Sequence, residues 1–134
     1  MNIGEGESLV DYDTGAALEA ATDHAGEALL VCAEYTPEDF RLVYLSDRLQ
    51  AEYDELDDIV EAGELFHHYG QLDFVGEDQF AEFYPTLSET QAFVTYTDFA
   101  IIGRVVGANE AFYFSVENGT EVTPLVDAVT EIVR

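Results

Sequence analysis

The chain has 134 residues, of which 29 are acidic and four basic, and its formal net charge is −25, yet 48% of it is apolar. That length suits one compact domain with a real core, and the apolar content excludes disorder despite the charge. The acid excess excludes direct nucleic-acid binding, which needs a basic footprint, and sets the surface against anionic lipid.

All four bases are arginines (Arg41, Arg48, Arg104, Arg134), and lysine is absent. In dilute salt this imbalance strains a compact state by self-repulsion. In molar salt the Debye length falls to about 3 Å and neighbouring carboxylates barely interact. Acid excess without lysine, around an intact apolar fraction, resembles the cytoplasmic proteins of salt-in halophiles, above all haloarchaea. The opening "MNIGEGESLVDYD" has no basic region and no long apolar run, and no segment approaches 18 consecutive apolar residues. The expectation is a cytoplasmic protein with no membrane partner.

Residues 1–10 read as a loose leader within a single domain spanning 1–134. Asp11 or Asp13, an alanine-rich body and Gly26 predict a helix over 14–25. "ALLVCAEY" and "FRLVYLS" flank the turn "TPED", with Pro37 at its favoured second position, and predict a hairpin. Cys32 sits in the first of these runs, so a buried thiol is expected. Leu49, Tyr53, Leu56, Ile59, Val60, Gly63 and Phe66 recur at steps of three and four, which predicts one helix that stops near Gly70. "GEDQFAEFYP" predicts a further helical turn or two closed by Pro85. "QAFVTYT", "FAIIGRVVG" and "AFYFSVE" read as a three-stranded meander, and "VTPLVDAVTEIVR" as a final helix capped by Thr123 with Pro124 first inside it.

The order is therefore α-β-β-α-(α)-β-β-β-α, an α+β fold with a five-stranded antiparallel sheet and helices packed on it. From the first helix to the last, this order resembles the roadblock/dynein light chain family and, more loosely, profilin-like folds. The likeness is carried by the ending "FAIIGRVVGANEAFYFSVENGTEVTPLVDAVTEIV". The chain also resembles small haloarchaeal domains of unknown function with a "YLSDRL…Y" segment after the hairpin. The roadblock resemblance implies a non-enzymatic interaction domain whose relatives often work with small GTPases, and it carries over no catalytic residue.

Seven carboxylates crowd "EYDELDDIVEAGELF" at 52–66. At about 100° per residue they fan over an outer arc and do not converge on a point, so a solvated face is expected and no metal site. "DYDTG" at 11–15 starts like a calcium loop but has Ala16 and Thr22 where that loop needs glycine and glutamate. Glu64 lies three and four residues before His67 and His68, but no second acid–histidine pair accompanies it. No serine lies in a nucleophile elbow, and without lysine there is neither a Schiff base nor a phosphate loop. No catalytic residue and no cofactor are expected.

The candidate ligand or interface residues are Phe66, Tyr69, Phe80, Phe83, Tyr84, Arg104 and Tyr113. The first five belong to an aromatic cluster within the nineteen residues 66–84. Arg104 lies mid-strand, where arginine is usually paired with an acid but also serves as an interface anchor. Tyr113 points opposite Phe112 and Phe114, giving the sheet two aromatic faces that must both be covered, by helices or by a second subunit. The leading expectation is a non-catalytic interaction or regulatory domain acting as a homodimer, with another protein as a further partner. One alternative is a small-molecule sensing domain with an aromatic pocket near 66–84. The other is a metal-dependent or hydrolytic enzyme.

Overall fold

The computed structural model describes residues 6–80, 82–84, 86 and 89–134, with side chains at all of these except 56 and 75–80. Helix α1 (Thr14–Ala25) starts where Asp13 accepts a hydrogen bond from the Ala16 N–H, and it stops at Gly26, whose φ of 56° is open to glycine. After a 3-10 turn come β1 (Leu29–Tyr35) and β2 (Phe40–Leu45), the expected hairpin, closed by the Thr36 N–H donating to the Asp39 carbonyl at 2.9 Å.

The next segment departs from the predicted single helix. Ser46 caps a short helix α2 (Asp47–Gln50), the chain turns through 51–55, and α3 (Leu56–Phe80) begins afresh. Asp58 restarts it by accepting from the Glu55 N–H at 3.2 Å, the backward half of a capping box. Gly70 does not stop α3; the helix runs ten residues past it and absorbs "GEDQF", the first half of the segment "GEDQFAEFYP". Pro85, the expected end of that segment, lies outside the described residues.

The meander is β3 (Ala92–Tyr96), β4 (Ala100–Val106) and β5 (Ala111–Glu117), and α4 (Thr123–Val133) closes the chain. Thr123 is the first helical residue and not the cap. That place falls to Val122, which is 7% exposed and makes no side-chain cap bond, so burial anchors the entry instead. All pairings are antiparallel, in the order β2-β1-β5-β4-β3.

Both faces of the sheet are covered by the chain's own helices. On one side, Cys32, Ile101, Val105, Phe112, Phe114 and Val116 meet α1 through Ala17 and Ala21 and α4 through Leu125, Val129 and Val133. The alanines let α1 lie close, and each fully buried Leu or Val contributes about 1.5–3 kcal/mol. On the other side, Tyr35, Val106 and Ala111 are buried under Phe40, Phe66, Phe74, Phe93 and Tyr113. Tyr113 thus faces away from Phe112 and Phe114, as alternation predicts.

Glu34 is wholly buried. It pairs with Arg41 directly across the hairpin. Its other oxygen accepts from the Ser8 hydroxyl at 2.9 Å and from the Leu9 N–H at 2.6 Å. Ser8 and Leu9, read as part of a loose leader, are therefore tied to β1, while residues 1–5 lie outside the described residues.

Candidate functional site

The face of α3 turned to the sheet carries Ile59, Gly63, Phe66, Gly70 and Asp73, at steps of four, three, four and three. Phe66 meets Tyr35 edge-on at 5.3 Å and lies tilted on Tyr113 at 4.3 Å; Phe74 meets Tyr35 at 5.6 Å. Gly63 is a notch for a ring, whereas Gly70 leaves room for a methyl. A Cβ on Gly63 would sit 2.6 Å from Phe40 Cε2, and one on Gly70 would touch Phe66 and Tyr35 at 3.4 and 3.5 Å.

Asp73, 6% exposed, extends this inner face. It accepts from the Tyr35 hydroxyl at 2.9 Å, and its Oδ2 lies 2.9 Å from Arg104 Nε. Arg104 also donates to Thr95 Oγ1 at 3.1 Å and lies over the Phe93 ring at 5.5 Å. Burial pushes the Asp73 carboxyl above the usual range, against the pull of the Arg104 charge and of the hydrogen bond from Tyr35. Burial first, then the Asp73 charge, pushes the Tyr35 phenol up. Arg104 is thus paired with an acid, as its mid-strand position implies, and the network ties α3 to β1 and β4. Asp73 itself was hidden in the sequence among 29 acids. Its one visible sign is that it falls three residues after Gly70, on the apolar stripe.

Two concavities flank this network. A cavity of about 230 Å3 lies between α3 and the sheet; Val31, Ala33, Ile59, Ala62, Phe66 and Tyr113 form much of its wall. A more open groove of about 370 Å3 lies toward β3, bounded by Phe66, Tyr69, Leu72, Asp73, Phe93 and Arg104. The structure therefore brings Phe66 and Tyr113 together in the cavity, and Phe66, Tyr69 and Arg104 around the groove. Phe83 and Tyr84 are exposed and line neither. The Phe80 side chain lies outside the described residues. Of the span 66–84 where an aromatic pocket was expected, residues 66–73 border the groove, and the cavity lies under the first half of α3.

Beside the groove, α3 shows solvent a second stripe, Leu65, Tyr69 and Leu72, which are 58%, 63% and 66% exposed. Strand β3 is a sheet edge; Val94 and Tyr96 on it are exposed as well, on the opposite face, beside Gly103 and Ile101. Neither 65–72 nor 90–97 contains an acid, although acids make up more than a fifth of the chain.

Asp57, Asp58, Glu61 and Glu64 face solvent. His67 Nε2 donates to the Thr36 carbonyl at 2.9 Å and its ring lies beside Phe40, so it serves the hairpin contact. Among the described residues no three His, Cys, Asp or Glu side chains converge as a metal-holding group. Also among them, no helix is long and apolar enough to cross a membrane. Cys32 is buried and its thiol is pushed up by desolvation, away from the reactive thiolate.

This sheet order, with α1 and α4 on one face and α3 on the other, is that of a roadblock-like α+β fold. The chain belongs to the family described as Domain of unknown function (DUF7522), whose model matches residues 15–134. It is similar in structure to the gliding protein MglB from Thermus thermophilus, at 12% identity and a TM-score of 0.55, over 96% of this chain and 98% of that one. It is equally similar to an MglB solved with a tetrameric arrangement, at 12% identity and 0.55, over 96% and 97% of the two chains. At that identity the likeness shows the fold alone. No curated protein matches the sequence.

Proposed function

We propose that this chain is a single, non-catalytic interaction domain of a salt-rich cytoplasm and works as a homodimer, joined through the outer flank of α3 and the open edge of β3. The observation that carries the reading is the acid-free apolar stripe of Leu65, Tyr69 and Leu72 on α3, on the side of the sheet to which edge strand β3 turns Phe93 and Thr95. Exposed apolar stripes and unpaired strand edges both favour association. A basic partner would be met by acids, whereas a partner as acidic as this chain demands a contact without them. A second copy fits that requirement. An MglB solved as a tetrameric arrangement supports assembly between copies of this fold. The buried partners of Phe66, Arg104 and Tyr113 give them the supporting role of holding α3 in place, and Tyr69 a direct one.

Sedimentation in about 2 M KCl, where carboxylate repulsion is screened, tests this. Wild type should run at twice the chain mass, and Tyr69→Glu and Leu72→Glu should run as folded monomers. A wild-type chain that stays monomeric at every concentration, or glutamate variants that still dimerise, would overturn the reading.

A further inference from the structure

The cavity beneath α3 is separate from the proposed dimer patch: Leu65, Tyr69 and Leu72 do not line it. Its walls come mainly from Val31, Ala33, Leu42 and Ile102 of the sheet and Ile59 and Phe66 of α3. No charged residue lines it among the described residues. Of the four hydroxyl residues in its wall, Thr97 is taken up by its own turn, bonding the Ala100 carbonyl and the Ala100 N–H. The other three are Tyr53, Tyr113 and Ser115. An apolar chamber with a few convergent neutral hydroxyls is the usual form of a small-molecule site. Leu49 and Tyr53, from α2 and the turn before α3, and Phe99, from the β3–β4 turn, complete one end of the wall. That end can admit a molecule without disturbing the strand pairing.

We propose that this cavity binds a neutral, compact apolar molecule bearing one hydroxyl or similar hydrogen-bonding group, of roughly nine or ten heavy atoms by scaling from a cavity of about 150 Å3 that holds benzene. Neutrality follows from the wall. A carboxylate there would be desolvated with no cation lining the site, inside a protein of charge −25. The hydrogen-bonding group follows from Tyr113, Ser115 and Tyr53, which form the polar part of an otherwise apolar wall. The ligand would act as a small part of the core, bracing α3 on the sheet.

The test is thermal shift and calorimetry in about 2 M KCl with 4-ethylphenol and indole as neutral probes and 4-methylbenzoate as the charged control. The neutral probes should raise the melting temperature saturably, and the carboxylate should not. Ala33→Leu and Ala62→Leu, which place bulk in the cavity from the sheet and from α3, should each weaken 4-ethylphenol at least about tenfold while circular dichroism stays native. Two variants on different elements keep the test open if one misfolds. Tyr113→Phe should weaken 4-ethylphenol about fivefold, the worth of one hydrogen bond, and leave ethylbenzene unchanged. No saturable shift with either neutral probe would overturn the proposal. So would equal binding of 4-methylbenzoate, or unchanged binding in both leucine variants.

Discussion

Gly103 and Gly63 pose the same steric question in two surroundings, and the answers should differ. A Cβ on Gly103 would lie 2.1 Å from Phe114 Cζ and 2.5 and 2.7 Å from Cε1 and Cε2. Ordinary contact begins at 3.4 Å, so the ring would have to retreat about 1.3 Å. Phe114 has no exposed surface and belongs to the core shared with Ala17, Ala21 and Leu125. Overpacking of this kind costs about 1–3 kcal/mol, and the enclosure puts Gly103→Ala near the top of that range. Reduced freedom of the unfolded chain returns about 0.5–1 kcal/mol, leaving a loss of about 2 kcal/mol. A Cβ on Gly63 would meet the Phe40 ring at 2.6 and 2.8 Å. Phe40, however, is only half-buried on edge strand β2 and can swing outward. Alanine also gains about 1 kcal/mol over glycine inside a helix, so Gly63→Ala should fall within about 0.5 kcal/mol of wild type. Urea unfolding in about 2 M KCl, followed by circular dichroism, separates the two. With a slope of about 2 kcal/mol/M, the Gly103→Ala midpoint should drop by about 1 M and the Gly63→Ala midpoint by less than about 0.3 M. Adding Phe114→Leu to Gly103→Ala should cost less than the sum of the single changes, because the leucine frees the space the methyl needs. Equal midpoints for the two glycine variants, or strict additivity in the double variant, would refute the reasoning.

Glu34→Ala removes a buried carboxylate that serves Arg41, Ser8 and Leu9. It should cost about 3–5 kcal/mol in the same urea assay, and Glu34→Gln, which keeps the shape, clearly less. Asp73 holds its proton more tightly folded than unfolded, so its contribution to stability falls as pH rises from the ordinary carboxylate range through its raised folded value. Urea midpoints measured across that window should slope downward more in wild type than in Asp73→Asn; parallel profiles would be the contrary result. Moving from about 1 M to about 0.1 M salt lengthens the Debye length from about 3 to about 10 Å. With 29 acids against four bases, the melting temperature should fall steeply over that dilution, and an unchanged value would contradict a brine-adapted surface.

Where local signals stood alone, the sequence was enough to place the elements. Asp13 and Gly26 bracket α1, Pro37 marks the hairpin turn, and alternation separates Tyr113 from Phe112 and Phe114. Two signals competed in the middle of the chain, and periodicity hid the true boundary. Leu49 and Tyr53 happen to continue the stripe of α3 through a non-helical turn at 51–55. The cap that restarts the helix, Asp58 on the Glu55 N–H, was one acid among many. Gly70 carried the usual mark of a helix end, but α3 runs through it, buried against Phe66 and Tyr35. Of the candidate site, the pairing of Arg104 was foreseeable and its partner was not, since nothing in a crowd of carboxylates distinguishes the buried one. The stripe of Leu65, Tyr69 and Leu72 lies beside the inner face, and periodicity alone assigned apolar residues to the core side only.

The two faces of the sheet are built to different standards. One is sealed by a pair of helices drawn from opposite ends of the chain, so any change there is felt by the whole molecule. The roof of the other is a single contiguous stretch, 47–80, about a quarter of the sequence. Cavity roof, groove and outward stripe all lie on that one stretch. What this side of the molecule presents can therefore be changed by rewriting one cassette, with the strand scaffold left intact.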